Sequence, residues 1–551
     1  MKDMTRFDRR VVTRSAITLL MLGTGGTVRA DSIDLANPDY QLRWDNTVRY
    51  TLGVRTEKQD SRIMNNPNYD ESDGKFDKGD VVTNRVDVLS EVDFSYLNDW
   101  GARVSGAGWY DQAYHDHDVE PSNPAYGTSY KNDHYSAQVS RYVNGPSAEL
   151  LDAFVWKNFS LAGALVNVKV GRQTNYWGEG LLFAAHAISY SQAPTDGVKA
   201  VTSPGIEIKE VFLPVGQISA RAQVTDSLTL AAQYFYEWDN TRLPYGGTYF
   251  APADPFFEGT DRLPIGEGQY LNHASSKFGR DGANWGVMAK LNVESLESNF
   301  GAYYRQFDDY QPWLAPELRL AQGDYRLVYP RSVKLAGLSF SRVINSVAVG
   351  SDLSYRMNGA LNATGVDPTD DEGPRGDSLH FILNGVYMMP RSFLAENATV
   401  VGEFAYSHLE RITEHKELYN GEGHPGCVDQ RTGVAGAGGV SDGCSTRDYY
   451  GVALNFTPSY LSVFPSWDLD VPITLNYGLH GNAAVAGGGN EGALAWSAGL
   501  KATYAQRYEF GLRYADTTAQ SKTLAGNTVG GNGGVGGTDR GWLAFTFKTS
   551  F

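Results

Sequence analysis

Long runs of strict two-residue alternation constrain this chain more than any other feature. At the C-terminus, Leu543, Phe545, Phe547, Thr549 and Phe551 share one face; Trp542, Ala544, Thr546, Lys548 and Ser550 share the other. Period two marks an extended strand, because successive side chains leave opposite faces. The pattern recurs over Trp44–Arg55, Arg85–Tyr96, Leu228–Trp238, Val347–Arg356 and Tyr508–Tyr514. Most of these runs approach or exceed the ~9–11 residues that cross a bilayer at a ~45° tilt. Strands of soluble proteins average only ~5–6 residues.

The connections alternate too. Short ones fall near Leu97–Trp100, Ser160–Gly163, Thr225–Ser227, Glu294–Glu297, Arg342–Ser346, Pro390–Asn397, Thr457–Val471 and Ala505–Arg507. Of these, Thr457–Val471 is the poorest fit to a tight turn. Nine long polar loops lie between them, among them Thr56–Val81, Ala113–Ser147, Trp177–Pro214, Asp239–Ala283 and Arg411–Arg447. Short turns on one side and long loops on the other are how outer-membrane barrels are built. The expectation is an all-β, transmembrane antiparallel barrel of about 18 strands, with 14 or 16 as alternatives. The runs Leu150–Phe159 and Gln217–Val224 carry the weakest strand pattern.

Composition agrees. The chain has 551 residues, 47 basic and 63 acidic, with net charge −16, and 61 glycines and 33 tyrosines. An apolar share of 42% is too high for disorder. The acidic balance argues against nucleic acid as a partner, which needs a basic face. No apolar run reaches the ~20 residues of a membrane helix. In a barrel, charged side chains belong on the inner face. Arg49, Asp87, Glu91, Arg103, Lys169, Lys290, Arg305 and Arg513 fall on that face in the alternation.

Residues 1–30 read as a secretory signal peptide: Arg6, Arg9, Arg10 and Arg14 precede an apolar stretch that ends at Val28-Arg29-Ala30. Residues 31–551 are then the barrel. Strands begin about a dozen residues after the cleavage site, which leaves little room for an N-terminal plug domain. The terminal strand ending in Phe551 resembles the signal read by the barrel-assembly machinery, an expected partner along with outer-membrane lipid. The expected location is the outer membrane of a Gram-negative bacterium.

Four stretches carry a family resemblance: Leu151-Asp-Ala-Phe154, Gly171-Arg-Gln-Thr-Asn-Tyr-Trp-Gly-Glu179, Ser203–Pro214 and Tyr236–Pro244 with Gly247-Thr-Tyr-Phe250. With Trp44–Arg55 and Lys75–Phe94, they are similar to a large proteobacterial family of uncharacterised outer-membrane barrels. The resemblance covers most of the chain and is specific through residues 151–256. It implies company with a second secreted protein and an inner-membrane transporter of the resistance-nodulation-division type. That company implies traffic in lipidic or steroid-like solutes. The chain departs from the family at Gly180, where a serine is expected.

Within that stretch, residues 177–214 are too rich in particular side chains for a plain surface loop. They are expected to fold into the lumen as a constriction or plug. Arg172, Glu179, Asp196, Glu207, Lys209 and Glu210 would face one another across the bore, with Tyr176 and Trp177 beside them; charged rows set selectivity in pores. The plainer alternative is a plug held by internal salt bridges.

Motifs for chemistry are weak. Gly376-Asp-Ser-Leu-His380 matches the nucleophile block of one lipase family but lacks a downstream Asp-x-x-His. His115-Asp-His117 has no evident third metal ligand. The acidic run Asp367–Glu372 reads as a solvated loop. No catalytic residue, metal or cofactor is expected. Cys427 and Cys444 share one long loop, and an oxidising compartment would bridge them; two free buried thiols are the alternative. The function expected is passive passage of a small hydrophobic or amphiphilic solute. A general water-filled porin is the alternative, and a barrel-borne hydrolase or an adhesion protein is the alternative of another class.

Overall fold

A computed structural model describes residues 32–33, 35, 37–121, 126–254 and 258–551. The expected signal peptide lies outside the described residues. Eighteen strands form the barrel wall. They are β1 Tyr40–Arg55, β2 Val81–Tyr96, β3 Trp100–Asp111, β4 Ser147–Leu161, β5 Ala164–Gln173 and β6 Val215–Gln223. Next come β7 Leu228–Phe235, β8 Trp285–Val293, β9 Ser298–Phe307, β10 Val333–Ile344, β11 Val347–Ala360 and β12 Arg375–Met389. The wall is completed by β13 Asn397–Glu414, β14 Asp448–Phe464, β15 in two pieces (Trp467–Asp470 and Ile473–His480), β16 Leu494–Tyr504, β17 Tyr508–Thr518 and β18 Trp542–Ser550.

Each strand pairs antiparallel with its sequence neighbour, and β18 closes on β1 from Thr47↔Ser550 to Arg55↔Trp542. The last residue is part of that seam: Phe551 N–H donates to Asn46 O at 2.9 Å, and Asn46 N–H donates to Phe551 O at 2.8 Å. Closure leaves no edge strand and satisfies the ladder groups internally, which a wall in hydrocarbon requires. A twelve-residue strand rising ~3.4 Å per residue at ~45° covers ~29 Å, close to the ~30 Å hydrocarbon core.

The two faces are inverted relative to a soluble sheet. Val88, Val92, Leu150, Val155, Leu230, Leu338, Leu353, Leu454, Leu500 and Leu512 are exposed on the outside. Arg49, Asp87, Glu91, Arg305, Asp352, Arg356 and Glu403 are buried inside. Aromatic groups ring the short-turn end, as at Tyr40–Tyr96–Trp100 and Trp467–Tyr504–Tyr508. Such rings suit a membrane interface, with one apolar side and one wet side. No helix among the described residues is long and apolar enough to cross a membrane.

Tight turns at Leu97-Asn98, Ala162-Gly163, Asn345-Ser346 and Ala505-Gln506 place two successive residues at positive φ. Those are the paired conformations that match the twist of a two-residue hairpin. The expected connection Thr457–Val471 is different. There β14 continues to Phe464, the turn is Pro465-Ser466, and β15 restarts at Trp467. Pro472 interrupts β15, yet its carbonyl still accepts from Gly499 N–H at 3.0 Å, and Val471 N–H donates to Pro458 O at 2.9 Å. The ladder therefore passes through prolines that mimic a loop in sequence.

At the other end the long loops pack on one another. Phe76, Tyr114, Tyr130, Tyr135, Val139, Tyr245 and Tyr249 form one buried cluster with Trp542 of β18. Cys427 and Cys444 are bridged within the β13–β14 loop.

Candidate functional site

The β5–β6 connection, residues 174–214, crosses the barrel interior. Backbone outside regular structure has orphan N–H and C=O groups, and inside a lumen these need partners. The facing wall supplies them. Asp352 on β11 accepts the amides of Glu179 (2.8 Å), Gly180 (3.2 Å) and Ile188 (3.2 Å). Glu403 on β13 accepts those of Leu181 (2.6 Å), Leu182 (2.7 Å) and Phe183 (2.5 Å). Arginines take the carbonyls. Arg305 on β9 donates to Ile188, Tyr190 and Ser191, and Arg356 on β11 donates to Ala185 at 2.9 Å. Asn384 on β12 donates to Glu179 O at 2.6 Å.

The second half of the loop is fastened to the opposite wall. Glu210 pairs with Arg49 on β1 at 2.5 Å, both side chains almost fully buried. Lys209 reaches Glu91 on β2 at 2.6 Å, and Glu207 reaches Lys548 on β18 at 2.7 Å. Strands β1–β2 and β11–β13 stand about half a circumference apart, so the loop is stapled across the bore.

Of the six charged residues expected to face one another across the bore, Glu207 and Lys209 pair at 3.1 Å, but as near neighbours on one segment of the loop. Each of the others is neutralised from elsewhere. Arg172 pairs with Glu237. Glu179 pairs with Lys290 of β8 at 2.9 Å. Asp196 caps the helical turn Gly197–Thr202 through the Lys199 amide and binds Arg242 at 2.9 Å. Removing charges from water is costly unless each is paired, so the wall supplies the counter-charges. Tyr176 packs edge-on against Phe212, and Trp177 packs on Tyr303. Leu182 and Phe183 pack on Ile382, Ala405 and Ala453.

Asp352, Arg356, Asn384 and Glu403 were not singled out by sequence reasoning. The available signal was an ionised residue at mid-strand on the inner face, as in Val-Ala-Val-Gly-Ser-Asp352. Gly180 is explained as well. A Cβ there would stand 2.7 Å from the Ala187 Cβ and 3.1 Å from the Ile382 side chain.

Space remains on both sides of the loop. A cavity of about 500 Å³ lies between Leu182, Val201 and Pro204 of the loop and the inner faces of β14–β18, roofed by Tyr249 and Phe250. A second, of about 310 Å³, lies under Tyr176 and Trp177 against β5–β9 and is lined by Lys169, Arg221 and Lys290.

The lipase-like block falls elsewhere. Ser378 Oγ lies 2.8 Å from His380 Nε2, His380 Nδ1 lies 3.0 Å from His186 Nδ1, and His186 Nε2 lies 2.7 Å from Gly488 O. Ser378, His380 and His186 are buried and line neither cavity described above. The chain of hydrogen bonds ties the loop to β12. His115 and His117 do not form a ligand set: His115 contacts Gln112 O, while His117 lies between Ser140 and Asn144. Among the described residues, Asp367, Asp370 and His415 bring three potential ligand atoms within 4.8 Å, and all three are ion-paired.

A closed barrel with an apolar exterior and a folded-in loop defines a membrane-barrel class of protein. Residues 11–551 match the family described as "Protein of unknown function (DUF1302)", and the chain belongs to it. No curated protein matches the chain. Among solved structures it is similar to Acinetobacter baumannii OccAB2, at 10% identity and TM-score 0.41, over 93% of this chain and 98% of that one. It is also similar to Acinetobacter baumannii OccAB3, at 9% identity and TM-score 0.42, over 93% and 99% of the two chains. The Acinetobacter baumannii outer membrane channel DcaP aligns at 11% identity and TM-score 0.37, over 95% and 100%.

Proposed function

We propose that this chain is an outer-membrane channel of a Gram-negative cell that passes a small amphiphilic solute by diffusion. The observation that carries the reading is the loop 174–214. It is fastened to opposite walls by Asp352 and Glu403 on one side and by Arg49 on the other. Two cavities flank it where a solute can sit. A barrel kept only as a structural shell has no need of a loop stapled across its bore beside empty space.

The solute class follows from the larger cavity. Its lining includes Leu182, Val201, Pro204, Phe250, Ala453 and Trp542, with Asn455, Thr474 and Asn476 as polar points. Mostly apolar walls with a few polar groups suit an amphiphile. A lipidic or aromatic molecule handed onward by a secreted protein to an inner-membrane transporter fits that description. Entry of the chain into the membrane would use the Phe551 seam.

Liposome swelling tests the reading. Sugars should permeate slowly through the wild type, and a small amphiphile should cross faster than through protein-free vesicles. Asp352→Ala with Glu403→Ala should raise sugar permeation. Sugar flux equal to that of a wide porin would establish the water-filled alternative, and absence of any flux would end the channel reading.

A further inference from the structure

We infer that Arg513 is the receptor for an anionic head group, so that the larger cavity takes an amphiphilic carboxylate. This rests on the amphiphile reading above and narrows it to one charge sign. Arg513 lies on the inner face of β17 and lines the cavity. Among the described residues it has no ion-pair or hydrogen-bond partner. Its neighbours on the same wall are satisfied. Lys501 holds Asp470 at 2.9 Å, Lys548 holds Glu207, and Arg540 donates to Asp73 and to the carbonyls of Tyr249 and Ala251. The carboxylate at the cavity rim, Asp516, accepts from the Thr517 amide.

The surroundings of Arg513 are shaped for a guest. Its cross-strand partners are Gly499 and Ala544, and Gly53 lies beyond Ala544. Two residues away along β17 on either side are Gly511 and Ala515. Directly across from Arg513 and two residues along its own strand the wall is glycine or alanine, and Ser497, Lys501, Trp542 and Thr546 stand diagonally to it. A Cβ at Gly499 would come within 3.3 Å of the Arg513 Cβ. The result is a fork of donors with open space directly across both neighbouring strands, facing the apolar loop residues Leu182, Val201 and Pro204. A guanidinium matches a carboxylate in two parallel hydrogen bonds and is held less tightly by water than an ammonium. The short-turn side of the loop carries the same sign, with Lys169 and Arg221 at the second cavity. Among the described residues, the wall thus offers the bore cations without a counter-ion, although the whole chain is acidic.

The test compares octanoate with its neutral counterpart octanamide, each titrated calorimetrically into the full chain in lipid nanodiscs, with empty discs as the blank. Octanoate should bind at least ~10-fold more tightly, the increment of one charge-assisted contact. Arg513→Gln should abolish that ratio and leave octanamide unchanged, while Arg513→Lys should keep most of it. Heat-modifiable mobility on gels certifies that each variant is a folded barrel. Equal binding of the two probes to wild type, a ratio that survives Arg513→Gln, or no binding of either probe by a folded barrel would overturn the assignment. The swelling assay fails or succeeds independently, so a barrel that binds octanoate but passes nothing would refute the channel and leave the receptor standing.

Discussion

Glu403 accepts the backbone amide of Leu182 at 2.7 Å across 221 residues of sequence. The same carboxylate takes the Leu181 and Phe183 amides, so one side chain from the wall organises a full turn of loop backbone. Glu403→Ala leaves three amides without their acceptor, and each buried orphan costs ~1–3 kcal/mol. The expected result is a loosened loop. Single-channel recordings should show higher conductance and more current noise than wild type. Glu403→Gln keeps one carbonyl acceptor and should fall between the two.

Gly180 offers a sharper steric test. Both Gly180→Ala and Gly180→Ser place a Cβ 2.7 Å from Ala187, so residues 180–188 must shift. Overpacking of this kind costs ~1–3 kcal/mol. Thermal unfolding in detergent should show both variants less stable by a similar amount. Equal effects would assign the cost to the Cβ and not to the hydroxyl.

Much of the wall is legible in sequence, because a barrel strand writes its faces as alternation and its ends as turn residues. The nine long connections and seven of the eight short ones fall where the polar clusters stand. Thr457–Val471 misleads because Pro458, Pro465 and Pro472 look like loop punctuation, whereas two of them sit in or between ladder strands whose neighbouring carbonyls and amides still pair. The loop charges are legible as well, but their partners are not. Asp352 lies 173 residues from Glu179 and looks, in sequence, like any lumen-facing acid. Only closure of the barrel brings β11–β13 opposite β1–β2 and turns isolated inner-face charges into clamps.

The outer loops should respond to pH. Asp254 accepts the amides of Glu71 (2.8 Å) and Ser72 (2.9 Å) beneath the loop surface. Burial raises its pKa from 3.8 to about 7, and burial raises that of Glu71 beside it. Burial, then the nearby Asp73 charge, lifts Asp539 to about 6. A carboxyl raised in the folded state retains a proton that the unfolded chain releases. Stability from these groups is therefore greatest below about pH 4 and declines as pH rises through about 7. Hydrogen exchange at Glu71, Ser72 and Ser129, corrected for intrinsic rates, should show protection falling over that window. Asp254→Asn should flatten the profile.

The bridge between Cys427 and Cys444 spans 17 residues in a loop rich in glycine. Cross-linking a loop of that size contributes ~3 kcal/mol in the chain-entropy picture. Both sulfurs are buried, so a thiol reagent should leave the folded protein unmodified until it is unfolded and reduced. Arg431 is already exposed, so Cys427→Ser with Cys444→Ser should speed trypsin cleavage after it by loosening the loop, while the barrel keeps its heat-modifiable mobility, since the bridge lies outside the wall.

Arg49 and Glu210 form the counterweight to the Glu403 clamp, and their burial decides what substitution does. Side-chain exposure is 2% for Arg49 and 4% for Glu210. Glu210→Ala strands a guanidinium that water barely reaches, which costs ~3–5 kcal/mol. Replacing both, as Arg49→Met with Glu210→Leu, removes the desolvation penalty with the attraction and should be close to neutral for folding. A double-mutant cycle on thermal stability measures the difference. If the single and double variants were equally destabilised, the pair would not be what holds the loop to β1, and the fastening would fall to Lys209 and Glu207.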